Sequence, residues 1–334
     1  MLPAFAPIVA VPARNEAERL PKLLRALDSQ QAWTSKTTPL PVVIVLNNTT
    51  DQSAKVIQAL APTLTNVELL LTEVDFEPAE AHVGSARRLA METAATRIGT
   101  NGVILTTDAD AVPSPDWVRQ NLLAIENGAD IVGGRISGDV QEEAVLGSGF
   151  QRRAGLYARY SALCDELAAT IDPVAHDPWP RHQDHTGGSL AVRADVYCAV
   201  GGLPALPFRE DVGFVSSVVR SGYRLVHPMA VNVTVSARTE GRAPGGMADC
   251  VKAWVEDERA GKPILVEAPE LVERRFVLRH AIRSQRNETA EAIAQMLEEQ
   301  AASDLDVVGT VPIEQAIAQV ADRIVSLKGA RDAA

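Results

Sequence analysis

Residues 102–112 read GVILTTDADAV, an apolar run closed by two threonines and then by two carboxylates, Asp108 and Asp110, on either side of a single alanine. An apolar, β-branched run of this length, without helical spacing, reads as a buried strand. An ionised carboxylate is not buried unpaired. A strand that ends this way therefore delivers its acids to solvent, to a cation or to a substrate at the carboxyl edge of a sheet. Taken alone, an Asp-x-Asp after a strand serves equally well as a turn or helix-capping pair.

Outward from this run the chain alternates. PIVAV (7–11), PVVIVL (41–46), VELLL (67–71), GVILTT (102–107) and ADIVGG (129–134) are short β-type runs. Between them, residues 16–29, 51–60, 83–96 and 115–127 carry apolar side chains at three- and four-residue spacing and read as crossover helices. This is the βαβ pattern of a mostly parallel sheet with both faces covered. Asn47 to Asp51 supplies a cap for the second helix, and Ser114-Pro115 an N-cap with a proline at N1 for the fourth. After Gly134 the pattern changes to a long helical stretch around residues 150–171, the polar segment DPVAHDPWPRHQDH (172–185) and then GGSLAVRADVYCAVGGLP (187–204). From about Asp249 the pattern is almost entirely helical. Its apolar positions, among them Ile293, Met296, Leu297, Ile313 and Ile317, predict a face buried against the core or a second subunit, and a homodimer through these helices is the expectation.

Composition narrows the class. The 334 residues are 46% hydrophobic and 22% charged, which is ordinary for a globular protein. A formal charge of -11 offers no broad basic surface for nucleic acid, so an anionic substrate must be held locally by arginines or a metal. The three cysteines, Cys164, Cys198 and Cys250, are far apart and contain no CxxC pair, which predicts free thiols in a reducing compartment. The first residues, MLPAFAPIVAVPARNE, have no basic residue before Arg14 and do not read as a signal peptide, and no stretch approaches membrane-spanning length. A cytoplasmic location is expected.

The order of motifs resembles a known family. VPARNE (11–16), LNNTTD (46–51), GSARRLA (84–90), TTDADA (106–111), TGGSLAVRADVYCAVGG (186–202) and FREDVGF (208–214) are similar to the successive motifs of inverting family 2 glycosyltransferases with the GT-A fold. The resemblance spans roughly residues 7–236 and rests on the order and spacing of several short motifs. It implies an α/β, Rossmann-like, mostly parallel sheet with flanking helices over residues 1–245. Residues 1–135 would be the nucleotide-binding half and 136–245 the acceptor half, with residues 246–334 a helical C-terminal extension. It also implies a nucleoside diphosphate sugar donor, a hydroxyl-bearing acceptor and a divalent cation, Mn2+ or Mg2+.

The resemblance carries site roles onto particular residues. Pro12, Ala13, Arg14, Asn15 and Glu16 and the turn from Asn47 to Asp51 would hold the base and ribose, with Asn47 standing where the family usually has an acid. Helix capping is the alternative use of Asn15 and Asp51. Gly84 and Arg87 match the turn under the nucleotide, although Arg87 and Arg88 also fit a solvated helix face. Asp108, Ala109 and Asp110 match the diphosphate motif, with Asp110 on the cation and Asp108 toward ribose and metal. Gly187 and Gly188 would approach the donor sugar, or be plain turn residues. Asp211 matches the general base, with Glu210 as the neighbouring candidate. The family often has a metal-binding histidine where this chain has Thr234 and Ser236, so no third ligand is identified. His176, His182 and His185 read as acceptor-loop residues. Arg238 and Arg242, set among glycines in SARTEGRAPGG (236–246), read either as a plain basic turn or as a mobile loop closing on the diphosphate.

Two other readings stay open at this stage. GVILTTDADAV also fits phosphatases that form an aspartyl phosphate, which need a downstream lysine and a second acidic cluster. The first lysine after Asp110 is Lys252. A non-catalytic nucleotide-sugar-binding protein is the third reading.

Overall fold

The structure, a computed structural model, describes residues 5–31, 38–242, 245–284 and 309–332. Strands β1 (Ala6–Ala13), β2 (Leu40–Asn47), β3 (Val67–Val74) and β4 (Gly102–Thr107) alternate with helices α1 (Leu20–Asp28), α2 (Ser53–Leu60) and α3 (Val83–Ile98). Then come β5 (Ala111–Pro113), α4 (Trp117–Glu126), β6 (Ile131–Gly133), β7 (Arg135–Gly138), α5 (Val140–Val145) and α6 (Ser148–Ile171). They are followed by β8 (Ser189–Arg193), α7 (Ala194–Ala199), α8 (Glu210–Arg220), β9 (Leu225–Val226), β10 (Asn232–Val235) and α9 (Met247–Arg259). The last described elements are β11 (Leu265–Glu267), α10 (Pro269–Ser284), β12 (Thr310–Pro312) and α11 (Ile313–Asp332).

The chain divides into two compact units, one of Met1–Gly138, Asp184–Ser236 and Arg242–Gly245, the other of Asp139–Gln183, Ala237–Gly241 and Gly246–Ala334. The sequence boundaries cut elsewhere: residues 139–183, expected in the acceptor half, group with the C-terminal helices.

The first unit is built on a seven-stranded sheet in the order β3-β2-β1-β4-β8-β6-β9. Neighbours β3, β2, β1 and β4 run parallel, as do β6 and β9, while β8 is antiparallel to both β4 and β6. The near-continuous apolar runs of the sequence follow from burial on both faces. Val9, Val11, Val42, Ile44 and Leu105 pack with α1, α2 and α4 residues on one side. Ile8, Ala10, Val43, Val45 and Ile104 pack with α3, α7 and α8 residues on the other. Helix α1 shows why the crossovers pack: Leu20, Leu23, Leu24 and Leu27 form one buried stripe. A second, three-stranded sheet has the order β5-β10-β7, with Val235 opposite Ala111 in antiparallel register.

Helix α4 starts two residues later than expected. Ser114 does not cap it with its side chain; its carbonyl accepts the Trp117 amide and the Gln30 side-chain amide instead. Asp51 does serve α2, accepting the Ser53 amide at 2.8 Å.

In the second unit, α6 packs Leu167 and Ala168 against Val272 and Phe276 of α10 and Val320 and Ile324 of α11. The region expected to be almost entirely helical also contains the antiparallel pair β11–β12, and Ile313 and Ile317 are buried with Ile264 and Val266. Those two isoleucines are therefore consumed inside the unit and offer no face to a second subunit. Ile293, Met296 and Leu297 lie outside the described residues. The three cysteines are free. Among the described residues, no helix is long and apolar enough to cross a membrane.

Candidate active site

The strand order reverses between β1 and β4, and this is the position where open α/β sheets form a crevice at their carboxyl ends. Two clusters of predicted residues meet that edge.

One joins the turns after β1 and β2. Asn15, with φ 53°, points its Oδ1 at the amides of Thr50 (2.8 Å) and Asp51 (3.2 Å). Asp51 in return accepts the Ala17 amide at 3.0 Å, and Ser53 Oγ accepts the Glu16 amide at 2.9 Å. Burial pushes the Asp51 carboxyl up, but hydrogen bonds from Ser53 and Ala17 and the nearby Arg242 charge outweigh it and hold it below its ordinary range. These bonds lock the two turns together. Arg242 joins them, its Nε donating to the Asn15 carbonyl at 3.1 Å. Arg14 donates to the Ala81 carbonyl at 3.2 Å. Pro12 and Ala13 are buried in the sheet. Asn47 is 3% exposed and its Nδ2 has no hydrogen-bond partner; Thr49 Oγ1 is likewise buried and unpartnered. Arg238 belongs to the second unit, together with His176 and His182.

The second cluster centres on Arg87. The guanidinium, with a side chain only 3% exposed, donates from Nε to Glu210 Oε1 (3.0 Å), from Nη1 to Thr106 Oγ1 (3.0 Å) and the Gly187 carbonyl (2.7 Å), and from Nη2 to Asp108 Oδ1 (2.6 Å). Arg88 turns the other way and pairs with Glu92, so the solvated face belongs to Arg88 alone. Asp211 Oδ2 accepts the Gly187 amide at 2.6 Å and its Oδ1 the Val212 amide at 2.8 Å. Thr107 Oγ1 donates to the Gly188 carbonyl at 2.7 Å. A Cβ on Gly188 would lie 3.4 Å from Asp108 Oδ2, so that carboxylate and the glycine turn face one another.

One guanidinium thus stands among the carboxylates of Asp108, Glu210 and Asp211. Burial alone would lower the Arg87 pKa, but Asp108, Glu210 and Asp211 outweigh it and hold the group charged. Glu210 moves the opposite way to what a simple ion pair predicts: burial and the neighbouring Asp211 push it up despite Arg87. The causes differ: the carboxylates outweigh burial at Arg87, whereas burial itself leads at Glu210.

Other predicted residues serve packing. Gly84 lets α3 approach the next loop, because a Cβ there would sit 2.0 Å from the Leu206 carbonyl oxygen. Ala109 is 4% exposed within the core. The threonines at the end of β4 were missed as site residues, although two hydroxyls at the end of a buried strand signal a turn held from below. His185 Nδ1 and His227 Nε2 lie 3.2 Å apart.

Asp108 and Asp110, just after β4, are the carboxylates that a divalent cation would use here. Among the described residues there is no group of three or more His, Cys, Asp or Glu that could hold a metal ion. The register of β5 and β10 pairs Thr234 with Val112 and Val235 with Ala111, and no histidine stands on β10. A hard cation held by one or two carboxylates and completed by substrate phosphates and water needs no more protein ligands than these.

A mostly parallel α/β sheet with flanking helices, C-terminal helices and acids at its switch point defines a ligand-binding α/β enzyme scaffold. Residues 8–164 match the family model described as Glycosyl transferase family 2. The aspartyl-phosphate reading of GVILTTDADAV is thereby set aside. Glycosyltransferase AglE of Haloferax volcanii is 25% identical over 223 residues, covering 60% of this chain and 68% of that protein. Among solved structures, mannosyltransferase PcManGT from Pyrobaculum calidifontis in complex with GDP-Man and Mn2+ aligns at TM-score 0.48 and 19% identity, over 96% of this chain and 80% of that one. S. aureus TarS 1-349 in complex with UDP aligns at TM-score 0.47 and 16% identity, over 97% and 83%.

Proposed function

We propose that the protein is an inverting glycosyltransferase that moves a sugar from a nucleoside diphosphate sugar to a hydroxyl acceptor with the help of Mn2+ or Mg2+. The observation that carries this reading is the convergence of Asp108 and Asp211 on one glycine turn at the sheet's switch point. Two carboxylates with different surroundings can take two different roles there. Asp108 and Asp110, after β4, hold the cation, which supplies Lewis-acid stabilisation to the leaving diphosphate. The turns after β1 and β2, with Asn15, Glu16 and Asp51, flank the nucleoside, and the Asn47 amide faces the base. Arg242, already on the β1 turn, contributes positive charge toward the diphosphate.

Asp211 acts as the base. The acceptor oxygen bonds to the anomeric carbon as the bond from that carbon to the diphosphate oxygen breaks, and the acceptor proton passes to the Asp211 carboxylate. The Gly187 amide and the first turn of α8 hold that carboxylate in one orientation.

The test compares Asp211→Asn with Asp110→Asn. Asp211→Asn keeps donor binding in calorimetry with manganese but loses roughly a hundred- to ten-thousandfold in turnover, the span attributed to general base catalysis. Asp110→Asn loses metal-dependent donor affinity as well. Near-normal turnover of Asp211→Asn would remove the base assignment.

A further inference from the structure

We propose that Arg87 is a positioning residue that fixes the Gly187 peptide, and through it the Asp211 carboxylate, relative to Asp108. The catalytic meaning of this link rests on the proposed transferase reading; the link itself is structural.

The Gly187 peptide is gripped from both sides. Its carbonyl accepts from Arg87 Nη1 at 2.7 Å and its amide donates to Asp211 Oδ2 at 2.6 Å. The same guanidinium reaches Asp108 Oδ1 through Nη2. The carboxylate after β4 and the carboxylate in the first turn of α8 are therefore joined by one side chain and one residue of backbone. A Cβ on Gly187 would stand 2.4 Å from Arg87 Cζ, so any larger residue there displaces the guanidinium. Glu210 anchors the far edge of the guanidinium at Nε, and both side chains are buried, 3% and 6% exposed. Glu210 is thus turned toward Arg87, which gives the Glu-Asp pair two separate tasks.

Geometry, rather than charge alone, makes the arrangement work. A guanidinium is a rigid planar fork whose donors point along fixed directions, whereas a lysine ammonium is a point charge with three donors. Arg87→Lys therefore keeps the cation and removes the fork, and any loss it causes reports position.

The test is hydrogen exchange on the full chain without ligands, followed by kinetics. In Arg87→Lys the amide of Gly187 should exchange faster by about tenfold or more, the scale of one charge-assisted hydrogen bond. In Glu210→Gln, which keeps an acceptor for Nε, protection of Gly187 should stay close to wild type, whereas Glu210→Ala should behave like Arg87→Lys. Arg87→Met leaves three acids without their cation; if it fails to fold, Arg87→Lys decides alone. In the transfer assay, Arg87→Lys should lower kcat by more than it weakens manganese-dependent donor binding. Unchanged exchange at Gly187 in Arg87→Lys would overturn the proposal, as would lost donor affinity with kcat intact, which would make Arg87 a donor ligand. A wild-type protein that transfers no sugar would refute the transferase reading and leave the exchange result to decide the link.

Discussion

Arg87 and Arg88 are chemically identical neighbours with opposite fates, and the difference lies in the helical phase. Arg87 falls three residues after Gly84 and four before Met91, both on the buried side of α3, while Arg88 stands four before Glu92 on the wet side. The phase was available in the sequence; the identity of the partners was not, because Glu210 and Gly187 are more than a hundred positions away or close to it, and only the fold brings them in. Asn47 is the reverse case. Its place at the end of β2 was legible, and the structure adds that its amide nitrogen is buried without a partner. A buried unsatisfied donor costs about 1–3 kcal/mol, which a ligand carbonyl would recover. Asn47→Asp replaces that donor with an acceptor. It should weaken binding of a nucleoside diphosphate sugar whose base presents a carbonyl there by about tenfold or more, read by thermal shift across a panel of donors. Equal or tighter binding across the panel would take Asn47 out of base recognition.

At the scale of elements, strands were easier to read than helix starts. The apolar content of β1, β2 and β4 is fixed by burial on both faces, so composition alone marks them. The start of α4 slipped because the Ser114 carbonyl accepts from the Gln30 side-chain amide and the Pro115 carbonyl from the Gln31 backbone amide, tertiary contacts that override a good local cap. Helix α8 begins at Glu210 behind Arg209, a non-glycine residue at φ 58°, and nothing in FREDVGF announces that conformation. Gly84 tests the packing of α3. Its missing side chain allows the helix to meet the Leu206 backbone, which cannot rotate away as a side chain would. Gly84→Ala should destabilise the protein by about 1–3 kcal/mol, the usual cost of overpacking. A urea midpoint equal to that of wild type would mean that the 204–208 loop yields at little cost.

At the scale of the molecule, the sequence separates an α/β part from a helical tail but does not reveal that α6 leaves the former for the latter. Periodicity marks a helix and its apolar face; it does not say which partner covers that face. In the structure, Leu167 and Ala168 of α6 are covered by Val272, Phe276, Val320 and Ile324, all beyond residue 246. A chain ending near Gly246 lacks those four side chains. Leu167 and Ala168 are then uncovered, and exposing the leucine alone costs about 1.5–3 kcal/mol, a sizeable share of a typical domain's net stability of about 5–15 kcal/mol. Residues 139–183 in the shortened chain should then be open to limited proteolysis and the protein should bind a hydrophobic dye, while the sheet built on β1, β2 and β4, whose core draws no residue from the tail, keeps its protection. A shortened chain with residues 139–183 still resistant to protease would show that α6 finds its cover elsewhere.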